Sequence, residues 1–282
     1  MRSLKTGSAA LDSARAREAE HYVRRTLLEH TLWVAAFAIG VFVLSSLLHA
    51  QRGAGPAAQR SPREAAPIDL TGYWESFVTE DWRWRMMTPP KGSYHSVTLN
   101  AEARKVADAW DPAADEAAGN QCKSYGAAAV MRVPGRLHIT WEDDDTLKIE
   151  TEAGSQTRLL NFGVTAPPDG EPTWQGYAVA TWQVPQILPV AGGRGRAPGT
   201  TLKAVTTRLR DGYLCKNGVP YSGNAVVTEY YNVLGEPKGD TWLVVTSIVD
   251  DPKFLTQPFL TSSHFKKLSD GSAWKPLGCT AE

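Results

Sequence analysis

The stretch from Arg136 to Thr151, RLHITWEDDDTLKIET, reads as two short strands around a tight acidic turn. Leu137 and Ile139 alternate with His138 and Thr140, and after Asp143-Asp144-Asp145 the chain resumes with Leu147 and Ile149 alternating with Lys148 and Glu150. A period of two puts each set on its own face of a pleated strand, and aspartate favours the turn between them, so the segment predicts a hairpin.

Working outward, the same pattern recurs in segments rich in Val, Thr, Tyr and Trp, broken by Gly, Asp or Pro. Strands are expected at 70–80, 128–133, 157–163, 177–183, 201–209, 224–233, 242–249 and 254–260. This predicts a mainly β chain, an antiparallel barrel or sandwich spanning residues 68–282. One interruption stands out: in AEARKVADAW after Asn100, the residues Ala103, Val106, Ala107 and Trp110 share a helical face. Asn100 is the expected N-cap and Asp111-Pro112 the stop, giving one helix that covers an end or edge of the sheet.

Thr31 to Ala50, TLWVAAFAIGVFVLSSLLHA, carries no formal charge, and twenty helical residues span roughly 30 Å. It predicts a single transmembrane helix, retained rather than cleaved because the apolar run and the charged region before it exceed those of a signal peptide. Arg2, Lys5, Arg15, Arg17, Arg24 and Arg25 precede it, whereas Arg52, Arg60 and Arg63 follow, which places the N-terminus inside. The expected order is a cytoplasmic helical tail (1–30), the span (31–50), an extended linker (51–67) and a periplasmic β domain, in a bacterial inner membrane. Ala36 and Gly40 form a small-x-x-x-small pair beside Trp33 and Phe37, a surface suited to a second transmembrane helix.

Thirty basic residues balance thirty acidic ones, so no net field draws nucleic acid, and none is expected as a partner. Three histidines, His95, His138 and His264, fall in the β domain without metal-ligand spacing. The three aspartates lack a calcium loop, and GRGRAPG at 193–199 lacks the helix start that a phosphate site needs. Ser262-Ser263-His264 is adjacent in sequence, which alternation splays apart, and neither Glu75 with Glu80 nor Glu142 with Asp145 is placed by spacing across a substrate. No catalytic residue, cofactor or metal is therefore assigned. Cys122, Cys215 and Cys279 allow one disulfide and one spare thiol outside the cytoplasm; Cys122 with Cys279 is the expected pair, leaving Cys215 buried in a strand.

In Asp81-Trp82-Arg83-Trp84-Arg85-Met86-Met87, strand alternation would put Trp82 and Trp84 on one face and Arg83 and Arg85 on the other. Trp and Arg dominate interface hot spots, which makes these four residues candidates for docking a partner. The alternative is that the tryptophans fill the core while the arginines are solvated.

Asp69-Leu70-Thr71-Gly72-Tyr73-Trp74 resembles the G-x-W opening of lipocalin and related calycin barrels. From Cys122 onward the chain is similar to a group of uncharacterised exported bacterial β proteins, through Cys122-Lys-Ser-Tyr-Gly126, Gly176-Tyr-Ala-Val-Ala-Thr-Trp182, Thr228-Glu229-Tyr230-Tyr231 and Asp251-Pro252 followed by Pro258. Tyr177 stands where that pattern has His and Tyr230 where it has Arg, so any site built on those side chains is altered here. The combined expectation is a non-catalytic, single-pass accessory subunit of a larger membrane complex, its partners the bilayer and other transmembrane subunits, with a photosynthetic reaction centre and antenna or a respiratory complex as host. The alternative is a tethered lipocalin-like protein that binds a small lipophilic molecule.

Overall fold

The hairpin becomes β2 (Arg136–Trp141) and β3 (Thr146–Thr151), paired with Ile139 opposite Ile149. Asp143 holds the turn, its side chain accepting the Asp145 N–H at 2.8 Å. The structure is a computed structural model that describes residues 60–281 except 95, 165, 184–199 and 237–238. The expected transmembrane helix with Trp33, Ala36, Phe37 and Gly40, the expected N-terminal tail, most of the expected linker, and the expected loop at 193–199 fall outside the described residues. Among the described residues, no helix is long and apolar enough to cross a membrane.

The remaining barrel strands are β1 (Gly72–Phe77), β4 (Thr157–Asn161), β5 (Tyr177–Gln183), β6 (Thr201–Thr207), β9 (Val226–Gly235), β10 (Thr241–Asp250) and β11 (Phe259–Lys267). In the order β1-β11-β10-β9-β6-β5-β4-β3-β2 they close on themselves, which makes a barrel and not a sandwich and leaves no sheet edge. The seam between β4 and β5 is parallel, with Leu160 opposite Ala178, and departs from the antiparallel expectation. The chain between these strands crosses over instead of turning back, as parallel pairing demands. A small hairpin, β7 (Gly212–Cys215) with β8 (Val219–Tyr221), is inserted between β6 and β9, which pair directly with each other.

Inward-facing Trp74, Ile139, Leu147, Ile149, Leu160, Leu202, Leu243 and Phe265 are buried and pack as one cluster inside the barrel. Among them lies an ion pair, Arg158 Nη2 to Glu229 Oε2 at 2.6 Å, both side chains fully buried, with Tyr231 and Thr206 accepting further bonds from the guanidinium. Burial opposes the charge on Arg158, but Glu229 outweighs it and raises the hold of the guanidinium on its proton.

A second core includes Leu99, Ala103, Ala107, Leu214, Val219, Tyr221, Phe254 and Leu255 and joins the β7–β8 hairpin to the covering helices. These follow α1 (Trp82–Arg85) and are α2 (Ala101–Asp108) and α3 (Pro112–Ala117). Asn100 caps α2 by accepting the Ala103 N–H at 2.9 Å, and its amide donates to Lys253. Asn100→Ala is expected to cost about 1 kcal/mol in a urea titration, and no change would mean the cap is dispensable. α2 stops at Asp108 with Ala109 as its C-cap, short of the expected stop at Asp111-Pro112, and Asp111 instead begins α3, accepting from Ala113 and Ala114.

Three expected strands are corrected. Residues 128–133 form a buried turn, because the Gly126 carbonyl accepts from both Ala129 and Val130 and winds the chain into a short 3-10 helix, Val130–Arg132. At 70–80 the strand ends at Phe77, after which the chain leaves the barrel wall. At 254–260, Phe254 and Leu255 belong to the second core and β11 begins at Phe259. The end of the expected linker is also not extended: Ser61 and Glu64 bond reciprocally as a capping box, and the Pro62 carbonyl accepts from Trp182 Nε1. Cys122 and Cys279 are joined in a disulfide, and Cys215 is buried as a free thiol in β7.

Candidate functional site

The chain leaving β1 passes Thr79 and Glu80 and reverses at Asp81, whose φ of 55° lies in the left-handed region that aspartate tolerates better than most side chains. Trp82–Arg85 is then a single helical turn and not a strand. This corrects the expected faces. In a helix Trp82 pairs with Met86 one turn on, and Arg85 points inward instead of sharing a solvent face with Arg83. The outcome is an exposed apolar ledge, Phe77 at 53%, Trp82 at 58%, Met86 at 60% and Met87 at 69% exposure, beside an arginine that is 8% exposed.

Buried charge holds the ledge in place. Arg85 Nη1 bonds to Glu80, and Arg85 Nε donates to the Arg132 carbonyl at 2.9 Å. Arg132 reaches Asp81 at 2.8 Å and Cys215 Sγ at 3.4 Å, and its guanidinium lies 5.1 Å from the Phe259 ring centroid. Burial pulls the Arg85 guanidinium below its usual range, Glu80 opposing that fall and Arg132 adding to it. Next to this network is a cleft of about 50 Å³ whose lining includes Trp84, Arg85, Ser124, Arg132, Leu214 and Cys215.

The network continues to β11. Thr79 Oγ1 lies 2.8 Å from His264 Nδ1, with Glu80 Oε2 3.4 Å away, and Ser262 Oγ lies 3.2 Å from His264 Nε2. Alternation does separate Ser263, which is buried, from His264, but Ser262 two residues earlier shares the histidine's outward face. The hydroxyl, imidazole and carboxylate are ordered as in a hydrolase. Glu80, however, is also paired with Arg85, and the group lies on the outer wall of the barrel, where developing charge would meet water rather than preorganised donors. Its evident work is to tie the segment carrying the ledge to β11.

No family model, curated protein or solved structure matches this chain. What the domain does is therefore read from its own side chains.

The other candidate residues are dispersed. Glu75 pairs with Arg136 and Glu142 with Lys148, so these carboxylates are held by cations on the barrel surface. His138 stacks on Tyr73 with ring centroids 4.2 Å apart and bonds Glu150 at 3.0 Å, an outward structural arrangement. A wider cleft of about 300 Å³, lined by residues including Glu102, Lys123, Tyr213, Tyr221 and Phe254, lies against the second core. Two of its lining residues, Lys123 and Tyr213, donate to Asp115, and burial together with that carboxylate pushes the Tyr213 phenol up. Arg132 and Cys215, which complete the α1 site, were not picked out as site residues by their sequence context.

Proposed function

We propose that this chain is a non-catalytic accessory subunit of a membrane protein complex, tethered by the apolar run Thr31–Ala50, whose barrel docks on other membrane subunits through the α1 ledge. The observation that carries this reading is the exposure of Phe77, Trp82, Met86 and Met87 within one short segment, on a turn fixed from beneath by buried Arg85 and Arg132. Flexible apolar side chains on a fixed support bury area at little cost in backbone ordering, which is what an interface anchor requires. Methionine adds a surface that adapts to a partner's shape. The apolar run supports a membrane-protein partner in particular, because it would tether the chain to a bilayer. The resemblance to exported β proteins agrees with the side of the membrane inferred from the flanking charges.

A lipophilic-ligand barrel calls for an apolar cavity between the strands. The inward-facing side chains here pack against one another, and the Arg158–Glu229 pair lies among them, so the docking reading is preferred.

The test is purification of the tagged full-length chain in mild detergent, as wild type and as Trp82→Ala/Met87→Ser. Both changes are at exposed positions, so the fold is expected to survive. Wild type should carry stoichiometric membrane subunits, and the double variant should lose at least about tenfold in their recovery, equivalent to about 1.4 kcal/mol. A wild-type chain that purifies alone, or a variant that retains the same partners in full, would overturn the proposal.

A further inference from the structure

Arg85, which lines the cleft beside α1, carries a polar atom that the fold leaves unused. Arg85 Nη1 is taken by Glu80 and Nε by the Arg132 carbonyl, but Nη2 is buried with no hydrogen-bond partner among the described residues. The Arg85 side chain is 1% exposed and lines the cleft. A buried guanidinium N–H without an acceptor is costly, so such an atom is ordinarily matched by something. The neighbouring cation is Arg132, also lining the cleft, with Asp81 and Cys215 as its partners. The two arginines face two carboxylates, Glu80 and Asp81, and both carboxylates are already bonded to them. An incoming acceptor therefore meets donors and no competing free carboxylate from this network.

We infer that this cleft binds a carboxylate head group, received by Arg85 Nη2. The volume of about 50 Å³ suits a group little larger than a water molecule or two, as a planar carboxylate is, and fits a bulkier tetrahedral oxyanion less well. Guanidinium donors match carboxylate geometry and form charge-assisted bonds with it. The lining is mixed, with Leu214, Ala129 and Pro134 giving an apolar wall against which a short aliphatic stem can lie. A free short-chain acid and the C-terminus of a polypeptide present the same head group. The site shares Arg85 and Arg132 with the support of the ledge, but the inference stands whether or not the ledge docks a partner.

Cys215 makes the inference directly measurable, because it is the free thiol of the chain and lines the same cleft. Iodoacetate carries its own carboxylate, whereas iodoacetamide of nearly equal size does not. With either reagent the Cys215 sulfur forms a bond to the methylene carbon, the carbon–iodine bond breaks, iodide leaves and the thiol proton goes to solvent. On the full-length chain in detergent, the iodoacetate-to-iodoacetamide rate ratio should be about tenfold higher in the folded protein than in the chain unfolded in urea. Acetate should suppress the excess competitively, chloride at equal ionic strength should not, and Arg85→Gln should return the ratio to the unfolded value. An acetylated dipeptide competing better than its C-terminal amide and better than acetate would assign the site to polypeptide C-termini, and acetate competing best would assign it to small acids.

A ratio equal in folded and unfolded protein, insensitive to acetate, would overturn the site and leave the cleft to water. Should Cys215 resist both reagents, thermal unfolding decides: acetate should raise the midpoint over chloride in wild type and not in Arg85→Gln, and no difference in wild type overturns the inference. The acetate competition uses wild type alone, so the inference remains testable even where Arg85→Gln fails to fold.

Discussion

Glu229→Gln is expected to lower the unfolding free energy by about 3–5 kcal/mol. The substitution keeps the shape of the side chain but removes its charge and one of its two acceptor oxygens, so the buried Arg158 guanidinium faces one amide oxygen and an opposing NH2 in place of a carboxylate, beside Tyr231 and Thr206. Neither is an anion at neutral pH: burial, reinforced by Glu229, pushes the Tyr231 phenol well up, so it cannot supply the missing charge. Arg158→Met should cost a comparable amount by stranding the carboxylate instead. The double variant Arg158→Met/Glu229→Leu should recover most of the loss, because a buried ion pair stabilises little relative to apolar side chains of similar volume while either half alone is costly. Urea titrations followed by tryptophan fluorescence, with the disulfide kept intact, measure all three. Single variants within about 1 kcal/mol of wild type would show that the pair is more hydrated than its burial implies.

The barrel was legible where its physics is local. Each wall strand has one face inward and one outward, so Leu137, Ile139, Leu147 and Ile149 announce themselves by alternation. The turn after Gly126 lacks that contrast, because it is buried on more than one side. Ala127 to Arg132 is buried throughout, so no alternation exists to detect, and the deciding bond is a bifurcated one to the Gly126 carbonyl. The parallel seam was illegible for a different reason. It depends on where a long crossover returns, which is settled by closure of the whole barrel and not by any property of Leu160 or Ala178. Ser61 and Glu64, by contrast, have the spacing of a capping box, and the Ala- and Pro-rich composition around them masks it.

At the proposed docking segment, the sequence singles out Trp82, Arg83, Trp84 and Arg85, and the structure rearranges their faces. Over the four residues from Trp82 to Arg85, apolar and charged side chains alternate, and a strand and a helical turn fit them equally well. The turn wins because Asp81 takes a left-handed conformation and Arg85 gains buried partners in Glu80 and the Arg132 carbonyl. Glu80 and Asp81 directly before two arginines were a local hint of those pairs. Arg132 and Cys215 gave no such hint, since each reaches the site only through the tertiary fold.

Removing the Cys122–Cys279 disulfide is expected to have the other large effect. The bridge closes a segment with a sequence separation of 157 residues, taking in every barrel strand except β1. The chain-entropy argument assigns about 5 kcal/mol to closing so long a loop, and measured losses on deleting native disulfides are about 2–5 kcal/mol. Cys122→Ser/Cys279→Ser, or wild type under reductant, should therefore lose several times what Cys215→Ala loses, since that change removes one small buried side chain and a single bond from Arg132. The local consequences should be ordered too. Gln156 bonds to Cys279 Sγ, the Thr280 N–H bonds to Tyr125, and Ser155 reaches the Leu277 carbonyl, so the C-terminal segment is pinned to the turn after β3 and to the 3-10 turn Lys123–Tyr125 by contacts that depend on the bridge holding it there. Hydrogen exchange should then show the segment after β11 losing protection first, before the barrel strands respond. Equal stability of oxidised and reduced protein would mean that those contacts alone hold the C-terminus, and that the bridge contributes nothing to the closed barrel.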